Sequence, residues 1–160
     1  MGINRVVRLA ARIILGLVFL VLGGDKIFGG QFVAKGTIAG WVTSQAAAGH
    51  VFPFYQPFLE RIVLPNDWLF AWLIALGEFA LGIALISGVL LRIAAFLGAI
   101  EVALIGLGTA APPAGASLAT AVSGTLEFLP LILLLLVIAA DAEGDPLAGG
   151  GRGGSRRRGE

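Results

Sequence analysis

The chain contains no cysteine and only one histidine, His50. Without cysteine it forms no disulfide of its own, carries no persulfide and holds no iron–sulfur cluster through thiolates. One histidine excludes a bis-histidine haem within a single chain. Charge is scarce as well: 13% of the 160 residues are Asp, Glu, Lys or Arg, about half the share of an ordinary soluble domain. No glycine-rich piece matches a phosphate-binding pattern. The arginines near the C-terminus have no nucleic-acid-binding fold around them, so no nucleic-acid partner is expected. No set of residues has metal-ligand spacing.

What is present is apolar. Hydrophobic residues make up 58% of the chain and the mean hydropathy is +0.94. The length accommodates about four membrane-spanning helices of roughly twenty residues each. The stretch from Trp68 to Ala99 (WLFAWLIALGEFALGIALISGVLLRIAAFLGA) organises the rest. It holds an apolar run, a break at Ser87-Gly88 and a second apolar run after Arg92, as a hairpin across a bilayer requires. The pattern predicts an all-α, four-helix transmembrane bundle with spans over 7–28, 68–86, 93–107 and 122–140. An interfacial or re-entrant segment is expected between the first two spans, and a Gly/Arg-rich tail over 141–160 is expected to be disordered.

The apolar run Ile13–Gly24 is preceded by Arg5, Arg8 and Arg12, which extend the helix by snorkelling. A cleaved signal peptide is the competing reading, but no small-x-small site follows Gly24. Arg12, Gly16, Phe19, Gly23 and Lys26 follow helical spacing and share one face. Its two glycines point to close helix contact, which turns Lys26 inward, with Asp25 beside it. Between the first two spans, Ile38–Ala48 reads as a short helix. In the segment after it, Pro53, Pro57 and Pro65 argue against one long helix, and the aromatic density fits the membrane–water interface. Asn66-Asp67 reads as an N-cap. Eight basic residues fall at the two termini and in the turn holding Arg92, so both termini are expected to be cytoplasmic.

Three carboxylates lie on three different spans. Glu78 shares a stripe with Ala71, Ala75 and Gly82. Glu101 shares one with Ala94, Gly98 and Gly108. Glu127 shares one with Thr120, Ser123 and Gly124, just before Pro130, which is expected to kink the helix. An ionised acid at such depth costs about 3 kcal/mol or more, so each is expected to be protonated or paired with a cation. Lys26, toward the outer half of the first span, is the expected cationic partner for these acids, while Arg12 and Arg92 lie too near the inner face to reach Glu127. The acids are predicted to line a polar pocket able to bind a quinone head group, relay protons or hold a small solute; the alternative is that they only fix packing. His50 reads as a turn residue. Trp72 and the other aromatics read as interfacial anchors.

Two segments carry a family resemblance: RLAARIILGLVFLVLGGDKIFG, and FYQPFLERIVLPNDWLFAWLIALGEFALGIALISGVLLRIAAFLGA. Gly23, Lys26, Pro65-Asn66, Gly77-Glu78, Gly82, Gly88 and Arg92 stand in an order and spacing that resembles the DoxX/DoxD family, over about residues 8–108. The resemblance implies a four-helix membrane bundle associated with redox systems, one branch being the small subunit of a thiosulfate:quinone oxidoreductase. It carries Lys26, Glu78 and Arg92 onto the family pattern; Glu101 and Glu127 rest on the physical argument. The expectation is an integral membrane subunit that engages quinone. Lys26, Glu78, Glu101 and Glu127 would act on protons, and Lys26, Glu78 and Trp72 would contact the quinone. The bilayer and a soluble or membrane oxidoreductase subunit are the expected partners, and whether the chain is itself an enzyme stays open. A non-enzymatic anchor for a soluble oxidoreductase and a proton-coupled or small-solute transporter are the alternatives.

Overall fold

The computed structural model describes residues 3–141, with side chains from Val6 onward. The expected C-terminal tail therefore lies, except for Asp141, outside the described residues. Those residues are helical with no strand: α1 (Ile3–Phe28), α2 (Thr37–Ala47), α3 (Gln56–Phe58), α4 (Asp67–Ser87), α5 (Leu91–Thr109) and α6 (Leu118–Asp141). Four helical runs are long and apolar enough to cross a membrane: Val6–Phe28, Gln56–Ser87, Leu91–Thr109 and Leu118–Asp141. The protein is an all-helical, multi-pass membrane protein.

The second run starts earlier than the proline spacing predicts. Between α3 and α4 the chain makes a π-helical turn (Leu59–Val63) and a 3-10 turn (Leu64–Asn66). Pro57 and Pro65 each sit in the first turn of their segment, where a missing N–H costs nothing. The wide turn before Pro65 shifts the hydrogen-bond register, Leu64 N–H reaching back to Leu59 C=O, so the helical run bends its pattern instead of stopping. Asn66 consequently caps nothing: its side-chain amide donates to Ile62 C=O at 2.9 Å. Likewise α6 continues through Pro130.

Small residues decide how the helices pair. On α1, Gly16 abuts Gly82 and Ile86 of α4, and Gly23 abuts Ala75 and Phe79, so the two helices run antiparallel with their backbones almost touching. The apolar core then fills from all four long helices, with Phe19, Leu81, Leu85, Leu91, Ala95 and Leu135 buried in it. α5 lies along α6, whereas α4 and α5 meet less closely. Their connection is tight. Gly88 takes φ 78° and Leu90 takes φ 52°, a left-handed conformation that costs a leucine about 1–2 kcal/mol. At the end of the bundle where α1 begins and α6 finishes, Arg8 Nη1 bridges to Asp141 Oδ2 at 2.9 Å. Both partners are half-exposed, so the pair fixes little beyond the placement of α1 against α6.

The opposite end carries a cap. Gly36 turns the chain with φ 92°, and its N–H donates to the buried Asp67 carboxylate. Ile38 and Val42 of α2 pack with Val51, Leu59, Val63 and Ala71 in a second cluster. Phe52 N–H to Leu107 C=O (3.1 Å) and Ala111 N–H to His50 C=O (2.9 Å) tie the cap to the end of α5. Tyr55 stacks on Phe58, which meets Phe70 edge-on, so these rings pack in the cap. Burial pushes the Tyr55 hydroxyl above its ordinary value, keeping it a neutral phenol. Phe54 and Trp68 remain exposed, as interfacial anchors would.

Candidate functional site

Lys26 and Glu78 form the centre of the site. The glycine contact at Gly23 brings α1 onto α4, and three residues later the same face presents Lys26 to the middle of α4. The Lys26 ammonium bonds both carboxylate oxygens of Glu78. Glu78 is 4% exposed, and the lysine also lies over the Phe32 ring, 5.0 Å from its centroid. Of the three acids that Lys26 was expected to serve, it is Glu78 that it pairs with. Asp25 is exposed.

Glu101 comes to the same region from α5. Its carboxyl lies within electrostatic reach of both Glu78 and Lys26. It packs against Gly77: a Cβ built on that glycine would stand 3.9 Å from both Glu101 oxygens. Glu101 Oε1 is buried and has no hydrogen-bond partner among the described residues. One cation thus faces two carboxyls, and the trio is electroneutral only while one carboxyl holds a proton. From Glu101 a groove of about 420 Å³ runs between α4 and α5, walled by Gly77, Ala80, Ala84, Ala94 and Gly98 and reaching Val89 and Leu90.

The DoxX family model matches residues 7–111, roughly two thirds of the chain. The chain belongs to the DoxX family. The matched region of this DoxX protein holds Lys26, Glu78, Glu101, the cap and the groove; α6 lies beyond it. No curated protein and no solved structure matches the chain.

Two expected site residues are not brought to this trio. Glu127 is exposed on α6. Gly124 touches the Ala110 carbonyl, and Phe128 covers Gly106, so the face of α6 that meets α5 passes beside Glu127. Glu127→Gln is therefore expected to change the stability of this DoxX protein by no more than about 0.5 kcal/mol. Thermal unfolding in detergent beside wild type checks it. Trp72 is half-buried on α4. It stands six residues before Glu78, about 120° round the helix from it at 3.6 residues per turn.

Arg12 departs from expectation in the other direction. Instead of snorkelling to the membrane surface, it is 2% exposed. Its place on the face of Gly16, Gly23 and Lys26 was the signal in the sequence, since a face that packs closely on α4 buries whatever else it carries. The His50 ring makes a local contact, its Nδ1 lying 3.3 Å from Gln45 Oε1. Among the described residues no group of three His, Cys, Asp or Glu side chains is placed to hold a metal ion.

Proposed function

We propose that this DoxX protein is the quinone-engaging membrane subunit of a redox system. The observation that carries the reading is a single buried carboxyl oxygen, Glu101 Oε1, left without a partner beside the Lys26–Glu78 pair. A quinol hydroxyl donates to such an oxygen when Glu101 is ionised, and a quinone carbonyl accepts from it when Glu101 is protonated. Reduction of quinone to quinol takes two electrons and two protons. In this reading a two-electron reductant in an oxidoreductase partner supplies the electrons, Glu101 hands one proton to the quinone oxygen it faces, and water supplies the second proton and later reprotonates Glu101. When Glu101 gives up that proton the trio carries one net negative charge, which the nearby Lys26 ammonium lessens until a proton returns to Glu101. The bundle end joined by Arg8 and Asp141 is assigned to the cytoplasm on the distribution of arginines.

The test is binding of a tail-free naphthoquinone to the purified protein in lipid nanodiscs. Wild type is expected to bind saturably, and Glu101→Gln to weaken binding by about tenfold or more, the worth of a hydrogen bond to a charged group. Absence of saturable binding by wild type, or equal affinity in Glu101→Gln, would overturn the proposal.

A further inference from the structure

Glu127 stands apart from the polar trio. It lies about 14 Å along α6 from Leu118 and about 21 Å from Asp141 at the helical rise, inside a helical run long and apolar enough to cross a membrane. Gly124 and Phe128 meet α5, whereas Glu127 is exposed. Among the described residues no hydrogen bond or ion pair reaches its carboxyl. Thr120, Ser123, Pro130 and Leu134 fall within about 60° of it round the helix and are exposed as well. Ser123 Oγ donates to Thr120 C=O at 2.9 Å, which leaves its lone pairs open as acceptors. Pro130 brings no N–H to the Leu126 carbonyl one turn before it. One turn of outward-facing surface thus carries a carboxyl, a hydroxyl and a carbonyl short of its helical donor. Acids within a membrane almost always face a protein interior or a water-filled cavity, and in a single chain Glu127 faces neither.

We propose that this face of α6 is the contact between two copies of the chain, with Glu127 of one copy hydrogen-bonded to Glu127 of the other. Copies inserted in one orientation pair about a two-fold axis along the membrane normal, which sets each residue opposite itself at equal depth. Few polar side chains are complementary to themselves under that rule. A protonated carboxyl is, because it offers one O–H donor and one acceptor oxygen. Two of them close a reciprocal pair that needs no cation from either copy. A different subunit would have to bring a matching donor to this same depth, whereas a second copy carries one by symmetry. The pairing also takes the Ser123 and Leu126 acceptors out of hydrocarbon. Space for a second helix is present, since Thr120, Val122, Ser123 and Leu126 in the first half of α6 are all exposed. The inference is independent of the quinone reading and uses none of the polar trio.

The chain has no cysteine, so a single introduced thiol reports a contact without background. Thr120→Cys, Ser123→Cys and Leu134→Cys each place one on the Glu127 face, and Val18→Cys places one on the exposed side of α1. Each full-length variant is reconstituted in lipid vesicles at high lipid dilution, oxidised with copper phenanthroline and read as disulfide-linked dimer on a non-reducing gel. The strongest of the three is expected to give about tenfold more dimer than Val18→Cys. Adding Glu127→Leu to that variant is expected to cut its yield by about tenfold, the worth of one or two interhelical hydrogen bonds. Adding Glu127→Gln instead, whose carboxamide keeps a donor and an acceptor, is expected to retain most of the yield. If all three give no more dimer than Val18→Cys, lipid alone covers the face and the proposal is overturned. A yield unchanged by Glu127→Leu would overturn it as well, because pairing would not depend on the acid. Cross-links in native membranes to a different protein, with no homodimer, would give the face to a separate subunit and likewise overturn it.

Discussion

Glu78→Ala is expected to destabilise the protein by about 3–5 kcal/mol, read as a large fall in the thermal midpoint of the purified protein in detergent. The Lys26 ammonium bonds both oxygens of Glu78 and is itself only partly exposed. Removing the carboxylate leaves a partly buried cation with the Phe32 ring and the Glu101 carboxyl, which is not hydrogen-bonded to it, as its surroundings. The loss comes mainly from the uncompensated charge and only in part from the pair's own attraction. Lys26→Met combined with Glu78→Leu removes both charges and is expected to recover most of that stability. Glu101 lies near enough to take part, so Glu78→Ala and Glu101→Gln together are expected to cost more than the sum of the two single changes. If Glu78→Ala melts like wild type, Lys26 and Glu78 do not form the buried pair described above.

The second large effect is steric. Gly23→Ala is expected to destabilise the protein by at least about 3 kcal/mol, at the upper end of overpacking costs. A Cβ on Gly23 would stand 2.4 Å from Phe79 N, 2.8 Å from Phe79 Cα and 2.9 Å from Ala75 O, all backbone atoms. Gly82 is in the same position from the other side, with Leu20 N at 2.4 Å and Gly16 O at 2.8 Å. No rotamer change relieves these contacts, so α1 and α4 must separate along their length. Separation moves Lys26 off Glu78 and couples the packing defect to the electrostatic one. Gly40→Ala is the control. Nothing lies within 4 Å of a Cβ there, and within α2 the change is expected to stabilise by up to about 1 kcal/mol. Thermal unfolding of both variants checks the contrast, and equal midpoints for Gly23→Ala and wild type would contradict the close α1–α4 contact.

Much of this architecture is legible along the chain because bilayer thickness sets the length of an apolar run. Helical periodicity then groups residues on a face. Those two rules place four spans, assign Gly16, Gly23 and Lys26 to one side of α1, and put Glu78 among Ala71, Ala75 and Gly82. The matching burial of Ala71, Ala75, Glu78 and Gly82 follows from the same rule, since small residues mark where another helix comes close.

Periodicity says which residues share a face but not which helix that face meets. Lys26 therefore had three candidate acids, and the backbone contact of Gly23 with Phe79 and Ala75 decided for Glu78. Glu127 shares a small-residue stripe, yet α6 is rotated so that Gly124 and Phe128 meet α5 while Glu127 stays outside. Arg12 has the composition of a snorkelling residue, but its face packs on α4 and buries it. The helical run from Gln56 was hidden by proline, because a π turn that relieves a missing N–H leaves no clear mark in residue types. The groove beside Glu101 was invisible for the same reason as the pairings. It is a gap between two helices, set by how α4 and α5 diverge from their tight turn, and only their placement in three dimensions creates it. Sequence alone thus determined the spans, the faces and the residues able to do chemistry; the tertiary structure decided which of them meet, through backbone contacts that only glycine permits.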